Sequence, residues 1–281
     1  MLARLLGKPV VLTYQCDLVM PRGFIHTLAN QYAHVTNQIS TALANIIVAT
    51  TRDFAEHSPF LRRYLDKVRA IQPPIELASI GPSDLDSFRQ RFGLRPGQRI
   101  IGIAARLATE KGVEYLVEAL PQVLEKHPNA RVLFAGQHTS VLGEERYAQK
   151  LAPLIDALGE HWTFLGILTP EELSSFFQLA EVTVLPSINS TEAFGMVQVE
   201  SMTCGTPVVS TDLPGVRQPV KMTGMGVIVP PRNPQVLAQA LIAVLNNPNG
   251  FVRDAQEVRR LFSPDNVAAE YDALFEELLK R

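Results

Sequence analysis

Cysteine, long apolar runs and an excess of one charge are all scarce in this sequence, and each scarcity excludes a class of protein. The two cysteines, Cys16 and Cys204, lie far apart and provide neither a disulfide framework nor a cysteine-rich metal site. No run approaches the ~18 apolar residues of a membrane span, and the segment 1–8 is too short for a signal peptide. The sequence therefore predicts a soluble, cytoplasmic protein.

The net charge of −2 argues against a dedicated nucleic-acid-binding protein, but the charge is unevenly distributed. Residues 1–106 contain 13 Lys or Arg and 7 Asp or Glu, whereas the remaining residues contain 13 and 21. A basic amino-terminal half can contact an anionic membrane leaflet and make the protein peripherally membrane-associated. The alternative is ordinary variation over the surface of a soluble enzyme.

Short apolar runs alternate with helix-period segments along the chain, which is typical of parallel α/β sheets with helices on both faces. The alternation over residues 76–262 predicts a complete doubly wound domain. Residues 1–75 predict only a partial amino-terminal α/β domain of three strands, and residues 263–281 a final helix. A parallel sheet that small leaves an edge or face uncovered, so either this domain is incomplete or a partner covers it.

Three local predictions depend on turn and helix-breaking residues. The segment from Ser58 to Tyr64 is predicted to be a short helix, and the segment 81–84 a loop rich in Pro, Ser and Asp. Apolar residues from Val113 to Leu124 recur at helical spacing, and Pro121 is predicted to kink or restart that helix.

Two cations follow the first strand of the second series, in the segment Ala104-Ala105-Arg106-Leu107-Ala108-Thr109-Glu110-Lys111-Gly112. They precede a helix, so they lie at the carboxyl edge of the sheet, where ligands of open α/β sheets bind. The N–H groups and dipole of a helix start already favour an anion. Arg106 and Lys111 together suit a diphosphate, and the alternative is a solvated basic turn.

A second strand-to-helix junction, from Ser187 to Glu200, carries two glutamates eight residues apart. Glu192 lies in the loop, where Gly195 allows a ligand to approach the backbone closely. Glu200 lies about two turns further on, within the helix, and can accept hydrogen bonds from a vicinal diol. The alternative for Glu200 is a capped or paired helix glutamate.

In these two junctions the sequence resembles glycosyltransferase family 4, most specifically from Ile100 to Val229 through its Glu-x7-Glu motif. The resemblance implies the two-domain GT-B fold and a sugar transfer that retains the anomeric configuration without a metal ion. It also implies a UDP- or GDP-sugar as the donor co-substrate, with no other cofactor. In such a protein the final helix, Pro264–Leu279, packs back on the amino-terminal domain.

The resemblance also implies roles for individual residues. The catalytic residues would be Glu192, beside the donor sugar, with Arg106 and Lys111 on the diphosphate. The backbone of the Phe-Gly-Met stretch would hold sugar hydroxyls and phosphate, and Glu200 would bind the ribose hydroxyls. The full set implied for the donor is Arg106, Lys111, Ile167, Glu192, Phe194, Gly195, Met196 and Glu200, with Ile167 in the wall that meets the base.

The chain departs from the family pattern on the acceptor side. Members carry about a hundred further residues before Val10, including a Gly-rich acceptor loop. Gln15 stands where the family often has His; it can hydrogen-bond a sugar hydroxyl but cannot become charged. Gln15 and Asp17 are the residues implied for the acceptor side, and the acceptor itself is not indicated by the sequence.

These sequence features bear on three functions. The first is a retaining hexosyl-type glycosyltransferase that moves a sugar to a lipid, saccharide or small-molecule acceptor. The second is a non-catalytic or truncated nucleotide-sugar-binding subunit that needs a partner. The third, a pyridoxal-phosphate-dependent phosphorylase, lacks a candidate Schiff-base lysine near Gly205. The histidines show no metal-ligand spacing, and no serine stands in a Gly-x-Ser-x-Gly motif.

Overall fold

The computed structural model describes residues 2–17 and 24–280, and within them the strands form two parallel sheets. The first sheet has three strands in the order β1-β2-β3: β1 Val11–Tyr14, β2 Ile46–Ala49 and β3 Val68–Ala70. The helices of this part are α1 Leu2–Leu5, α2 Phe24–Leu43 and α3 Arg52–His57, followed by a 3₁₀ turn at Leu61–Arg63. Strand β1 is thus an edge of the sheet.

The second sheet has six parallel strands in the order β6-β5-β4-β7-β8-β9. The strands are β4 Arg99–Ala104, β5 Ala130–Ala135, β6 Trp162–Gly166, β7 Val182–Leu185, β8 Val208–Thr211 and β9 Gly226–Val229. The helices are α4 Pro82–Arg91, α5 Val113–Lys126, α6 Glu145–Asp156, α7 Pro170–Leu179, α8 Met196–Thr203, α9 Gln218–Thr223, α10 Pro234–Asn246, α11 Ala255–Leu261 and α12 Pro264–Leu279. Further 3₁₀ turns lie at Thr109–Lys111, Gly159–His161 and Pro248–Phe251.

Helices cover both faces of the second sheet because successive strand residues point to opposite sides. On β4, Ile101 and Ile103 face a core made with α5, α6 and α10. Ile100 faces the other side, where α4 and α7 contribute Phe88 and Phe176. Strands buried on both faces explain the near-continuous apolar runs in the sequence.

The chain reverses its direction of travel across the second sheet between β4 and β7. From β4 it moves outward to β5 and β6, then crosses back to β7 and continues to β8 and β9. The connections that follow β4 and β7 therefore leave the carboxyl edge in opposite directions across the sheet. Such a switch point is where open α/β sheets bind ligands.

Helix α12 and an ion pair are among the features that join the first sheet to the rest of the chain. Helix α12 packs on one face of the first sheet, where Val267, Leu274 and Leu278 meet residues of β2 and the buried Ile71. On the side nearer the second sheet, the Asp53 carboxylate accepts hydrogen bonds from Arg217 (2.6 and 2.8 Å) and from the Gly215 backbone N–H (2.9 Å).

Two of the three local predictions that depend on turn and helix-breaking residues were wrong. The segment 81–84 is not a loop: Gly81 caps α4, Pro82 occupies its first turn, and the Asp84 side chain accepts from the Gly81 N–H. Helix α5 runs through Pro121 without interruption, so it does not restart there.

The second wrong prediction is the short helix at 58–64, which is misplaced. The α-helix lies earlier, at Arg52–His57, because the Thr51 side chain caps it by accepting from the Phe54 N–H (3.0 Å). Only the 3₁₀ turn Leu61–Arg63 falls within the predicted segment. In the described part of the chain, no helix is both long enough and apolar enough to cross a membrane.

Candidate functional site

A cavity of about 340 Å³ lies between the two sheets. The first sheet contributes the ends of β1 and β2 and the segment after β3, and the second contributes the loop after β7 with the start of α8. Tyr271 of α12 completes the wall. The polar lining residues that bear on the predictions are Gln15 from one side and Glu192 from the other.

Lys111 and Glu192 form an ion pair at this switch point, with 2.6 Å between Lys111 Nζ and Glu192 Oε2. Both side chains are largely buried, at 21% and 15% exposed. Gly112 makes the approach of their loops possible. Its backbone is left-handed (φ 61°), and a Cβ there would lie 2.2 Å from the Pro186 carbonyl oxygen.

Arg106 occupies the exposed rim of the same loop, with 61% of its side chain accessible. Its Nη2 lies 3.2 Å from Glu110 Oε1. The Glu110 carbonyl accepts from the Ile188 N–H at 3.0 Å, so the β4 and β7 loops are also joined through the backbone. The structure thus brings both predicted cations to one edge, one held by Glu192 and the other facing solvent.

The Phe-Gly-Met stretch forms the start of α8. Phe194 is buried and packs against Phe262, whereas Met196 is 47% exposed. Gly195 is the N-cap in a left-handed conformation (φ 75°), and a Cβ there would lie 2.4 Å from a methyl group of Leu185. The first N–H groups of a helix lack intrahelical partners, so this turn can donate to an anion or a hydroxyl.

Glu200 lies one turn further along α8 and is partly buried. Burial raises the pKa of its carboxyl group. Within the described residues the carboxylate has no ion-pair partner, so it is not the paired helix glutamate considered as the alternative. Ile167, after the outer strand β6, is 78% exposed at the same edge of the sheet.

The two residues predicted for the acceptor side lie in different surroundings. Gln15 lines the cavity between the sheets, together with Glu192. Asp17 is buried, and its Oδ1 accepts from Ser58 Oγ (2.6 Å) and Tyr14 Oη (3.0 Å). Burial, and then the Asp17 carboxylate, raise the pKa of the Tyr14 hydroxyl. Asp17 lines a second cavity, of about 710 Å³, whose wall also includes Ser190 from the β7 loop.

Several residues of the site escaped the sequence reasoning. Thr50 donates to the Ala193 carbonyl (3.1 Å) across the cleft, and Gln72 and Tyr271 line the cavity. Each is a single polar or aromatic residue in an unremarkable stretch, so no motif marks it. Among the residues that the structure describes, no group of three or more His, Cys, Asp or Glu could hold a metal ion.

Comparison with known proteins adds the family. The family model for glycosyl transferases group 1 matches residues 84–260. An uncharacterized glycosyltransferase of Methanocaldococcus jannaschii is 35% identical over 191 residues, which are 66% of this chain and 46% of that protein. A D-inositol 3-phosphate glycosyltransferase of Corynebacterium urealyticum is 29% identical over 243 residues, 83% of this chain and 56% of that protein. The chain spans about half the length of these curated relatives.

Solved structures agree on the fold. HepE of Anabaena, in complex with UDP and glucose, has a TM-score of 0.78 at 22% identity. The match covers 98% of this chain and 73% of the HepE chain. Sucrose-phosphate synthase of Thermosynechococcus elongatus has a TM-score of 0.76 at 23% identity, covering 96% and 68%. The predicted GT-B-like α/β fold is confirmed.

The fold and the site together define a class: GT-B-like proteins with a ligand cleft between two parallel α/β sheets. Within that class, the match over residues 84–260 is decisive. The chain belongs to the glycosyl transferases group 1 family.

Proposed function

We propose that this protein is a retaining glycosyltransferase of family 4 that takes a sugar from a nucleotide diphosphate donor. The observation that carries the proposal is the Lys111–Glu192 pair at the β4–β7 switch point, with Arg106 beside it. A lysine and an arginine can neutralise a diphosphate, and Glu192 faces the cleft where the sugar would lie. HepE, a structural neighbour, is described in complex with UDP and with UDP-glucose, which favours UDP as the nucleotide.

The proposed reaction requires no protein base. The acceptor oxygen bonds to the anomeric carbon as the bond from that carbon to the diphosphate oxygen breaks and its electron pair passes to the leaving diphosphate. The acceptor proton moves to that same diphosphate, so both events occur on one face of the sugar and the configuration is retained. Arg106 and Lys111 stabilise the charge that develops on the leaving group. The acceptor, a lipid, saccharide or small molecule, binds on the side of Gln15 and Asp17.

Calorimetric titration with UDP, GDP and ADP tests the donor half of the proposal. Each charge-assisted bond contributes about 1.5–3 kcal/mol, so Arg106→Ala and Lys111→Ala should each weaken nucleotide binding roughly ten- to a hundredfold. Arg260→Ala is the matched control because this arginine is exposed and does not line the cleft. Unchanged affinity in both site variants would remove the assignment.

Product formation from a radiolabelled sugar nucleotide, with pooled lipid and saccharide acceptors, then tests the transfer. Sugar transfer with retained anomeric configuration supports the enzyme. Tight nucleotide binding without any product would favour the second function, a nucleotide-sugar-binding subunit that needs a partner. The three-stranded first sheet, with β1 at its edge, is the observation that keeps this second candidate in view.

A further inference from the structure

Helix α6 and the residue before it contact the chain on both sides of Lys111: Glu144 meets the Thr109–Lys111 turn, and Tyr147 meets the first turn of α5, which follows that turn. Glu144, the residue just before α6, accepts from Thr109 with a single oxygen, Oε2: 3.0 Å to the backbone N–H and 2.7 Å to the hydroxyl. Three residues later, Tyr147 Oη donates to the Glu114 carboxylate and accepts from the Glu114 N–H (3.3 Å). Thr109 and Glu114 flank Lys111 in sequence.

The spacing explains how one short segment makes both contacts. Residues three apart lie on the same side of a helix, so Glu144 and Tyr147 project toward the same neighbour. Glu144 does not cap its own helix: its side chain makes no capping bond, which leaves it for Thr109. The Tyr147 ring packs against the core beside α5, and burial raises the pKa of its hydroxyl group, so that the hydroxyl keeps its proton and donates.

The turn that is held this way needs an external support. Residues Thr109–Lys111 form a single 3₁₀ turn that begins at Ala108 without a side-chain cap and ends at the left-handed Gly112. A 3₁₀ turn of three residues has little stability of its own. A lysine on such a turn is oriented only if the turn is, and orientation decides how well a cation meets a bound anion.

We infer that Glu144 and Tyr147 are positioning residues, the α6 clamp, which hold the Thr109–Lys111 turn so that Lys111 faces a bound diphosphate. The clamp rests on the proposed function, because it acts through Lys111 on the donor. The α6 clamp thus gives helix α6 a role in donor binding, and the ligand that Lys111 contacts is the diphosphate of the sugar nucleotide. Glu144 itself does not touch that ligand in this assignment.

The test measures UDP affinity by calorimetry and backbone amide exchange of residues 107–112 in the same variants. Glu144→Ala should weaken UDP binding roughly three- to tenfold and speed exchange in the turn. Glu144→Gln keeps an acceptor oxygen and should restore both values toward the wild type. Tyr147→Phe should act in the same direction as Glu144→Ala. Glu145→Ala, the neighbouring exposed glutamate, is the matched control and should change neither.

A double-mutant cycle with Lys111→Ala separates positioning from general destabilisation. If Glu144 acts through Lys111, adding Glu144→Ala to Lys111→Ala should cost no further affinity. A further loss of full size would overturn the clamp, as would equal UDP affinity of the wild type and Glu144→Ala. Absence of binding of UDP, GDP and ADP by the wild type would instead overturn the proposed function, so the two failures are distinguishable.

Discussion

At the scale of the residue, Glu200 carries a cost in stability that its proposed role in donor binding would explain. Its carboxyl group lies partly buried in α8, and burial raises its pKa. A raised pKa means that the folded protein holds the proton more tightly than the unfolded chain does. Ionisation of Glu200 therefore destabilises the fold, and this cost is absent in acid and grows as the pH rises above the ordinary carboxyl range. The proposed binding of the ribose hydroxyls by this carboxylate would account for the cost.

We accordingly expect Glu200→Gln to raise the melting temperature at neutral pH and to weaken UDP binding about tenfold or more, since a charge-assisted bond to the ribose is lost. The difference in melting temperature should shrink as the pH falls toward 4. Thermal unfolding between pH 4 and 8, together with calorimetry, measures both. Glu270→Gln, at an exposed position of α12, is the control. A variant that is no more stable at pH 7 than at pH 4, relative to the wild type, would contradict this account.

Among the elements, the loops after β4 and β7 can approach each other closely because Gly112 has no side chain. Gly112 is left-handed and its missing side chain leaves room for the Pro186 carbonyl oxygen (2.2 Å) and an Ile188 methyl group (2.7 Å). Any Cβ must push the two loops apart. The Lys111–Glu192 pair spans these loops, so the distance between the loops affects the geometry of the ion pair.

Gly112→Ala should reduce the free energy of unfolding by more than the left-handed backbone penalty of roughly 1–2 kcal/mol, because the clash adds to it. Gly93→Ala isolates the penalty: Gly93 has almost the same φ, 59° against 61°, and a Cβ there meets nothing within 4 Å. Urea denaturation of both variants gives the two values. Equal losses would show that the Pro186 contact relaxes freely and that the loops are not held apart by it.

At the scale of the elements, the sequence predicts the order of strands and helices but not the start of every helix. The parallel α/β order and the strand-to-helix position of Arg106, Lys111 and Glu192 follow from apolar periodicity, which tertiary contacts reinforce. The start of α4 at Pro82 was missed because Gly and Pro mark turns and helix starts alike, and only the Asp84 cap distinguishes them.

Contacts between distant segments were beyond the sequence for a different reason. Thr109 and Glu144 are 35 residues apart, and Asp53 and Arg217 are 164 residues apart. Each of these residues is an ordinary surface type in its own stretch. Their pairing depends on how the strands order in space, which periodicity along the chain does not specify.

At the scale of the whole molecule, an ion pair between Asp53 and Arg217 joins the part of the chain around the first sheet to the part around the second. Arg217 and Gly215 hold the pKa of the Asp53 carboxyl well below its usual range against the opposing effect of burial. A lowered pKa contributes stability that is fully present above the ordinary carboxyl range and is lost as the pH falls through the folded-state pKa. The side chains of Asp53 and Arg217 are mostly buried, at 15% and 18% exposed.

Asp53→Asn should therefore lower the free energy of unfolding by about 1–3 kcal/mol at neutral pH, and the difference from the wild type should vanish in strong acid. Asp86→Asn removes an exposed pair with Arg89 and should cost under about 1 kcal/mol at every pH. Urea denaturation at pH 7 and near pH 1 measures both. A loss of the same size at both pH values would mean that the Asp53 charge is not what joins the sheets.

Helix α12 has a consequence for how the chain is made. The first sheet buries part of its core under Val267, Leu274 and Leu278, yet β2 and β3 leave the ribosome long before these residues are synthesised. At roughly 5–20 residues per second, the stretch from Ile71 to Val267 takes about 10–40 s. During that interval Ile46, Val48 and Ile71 have no α12 to cover them. The core of the first sheet is therefore completed only after α12 has emerged.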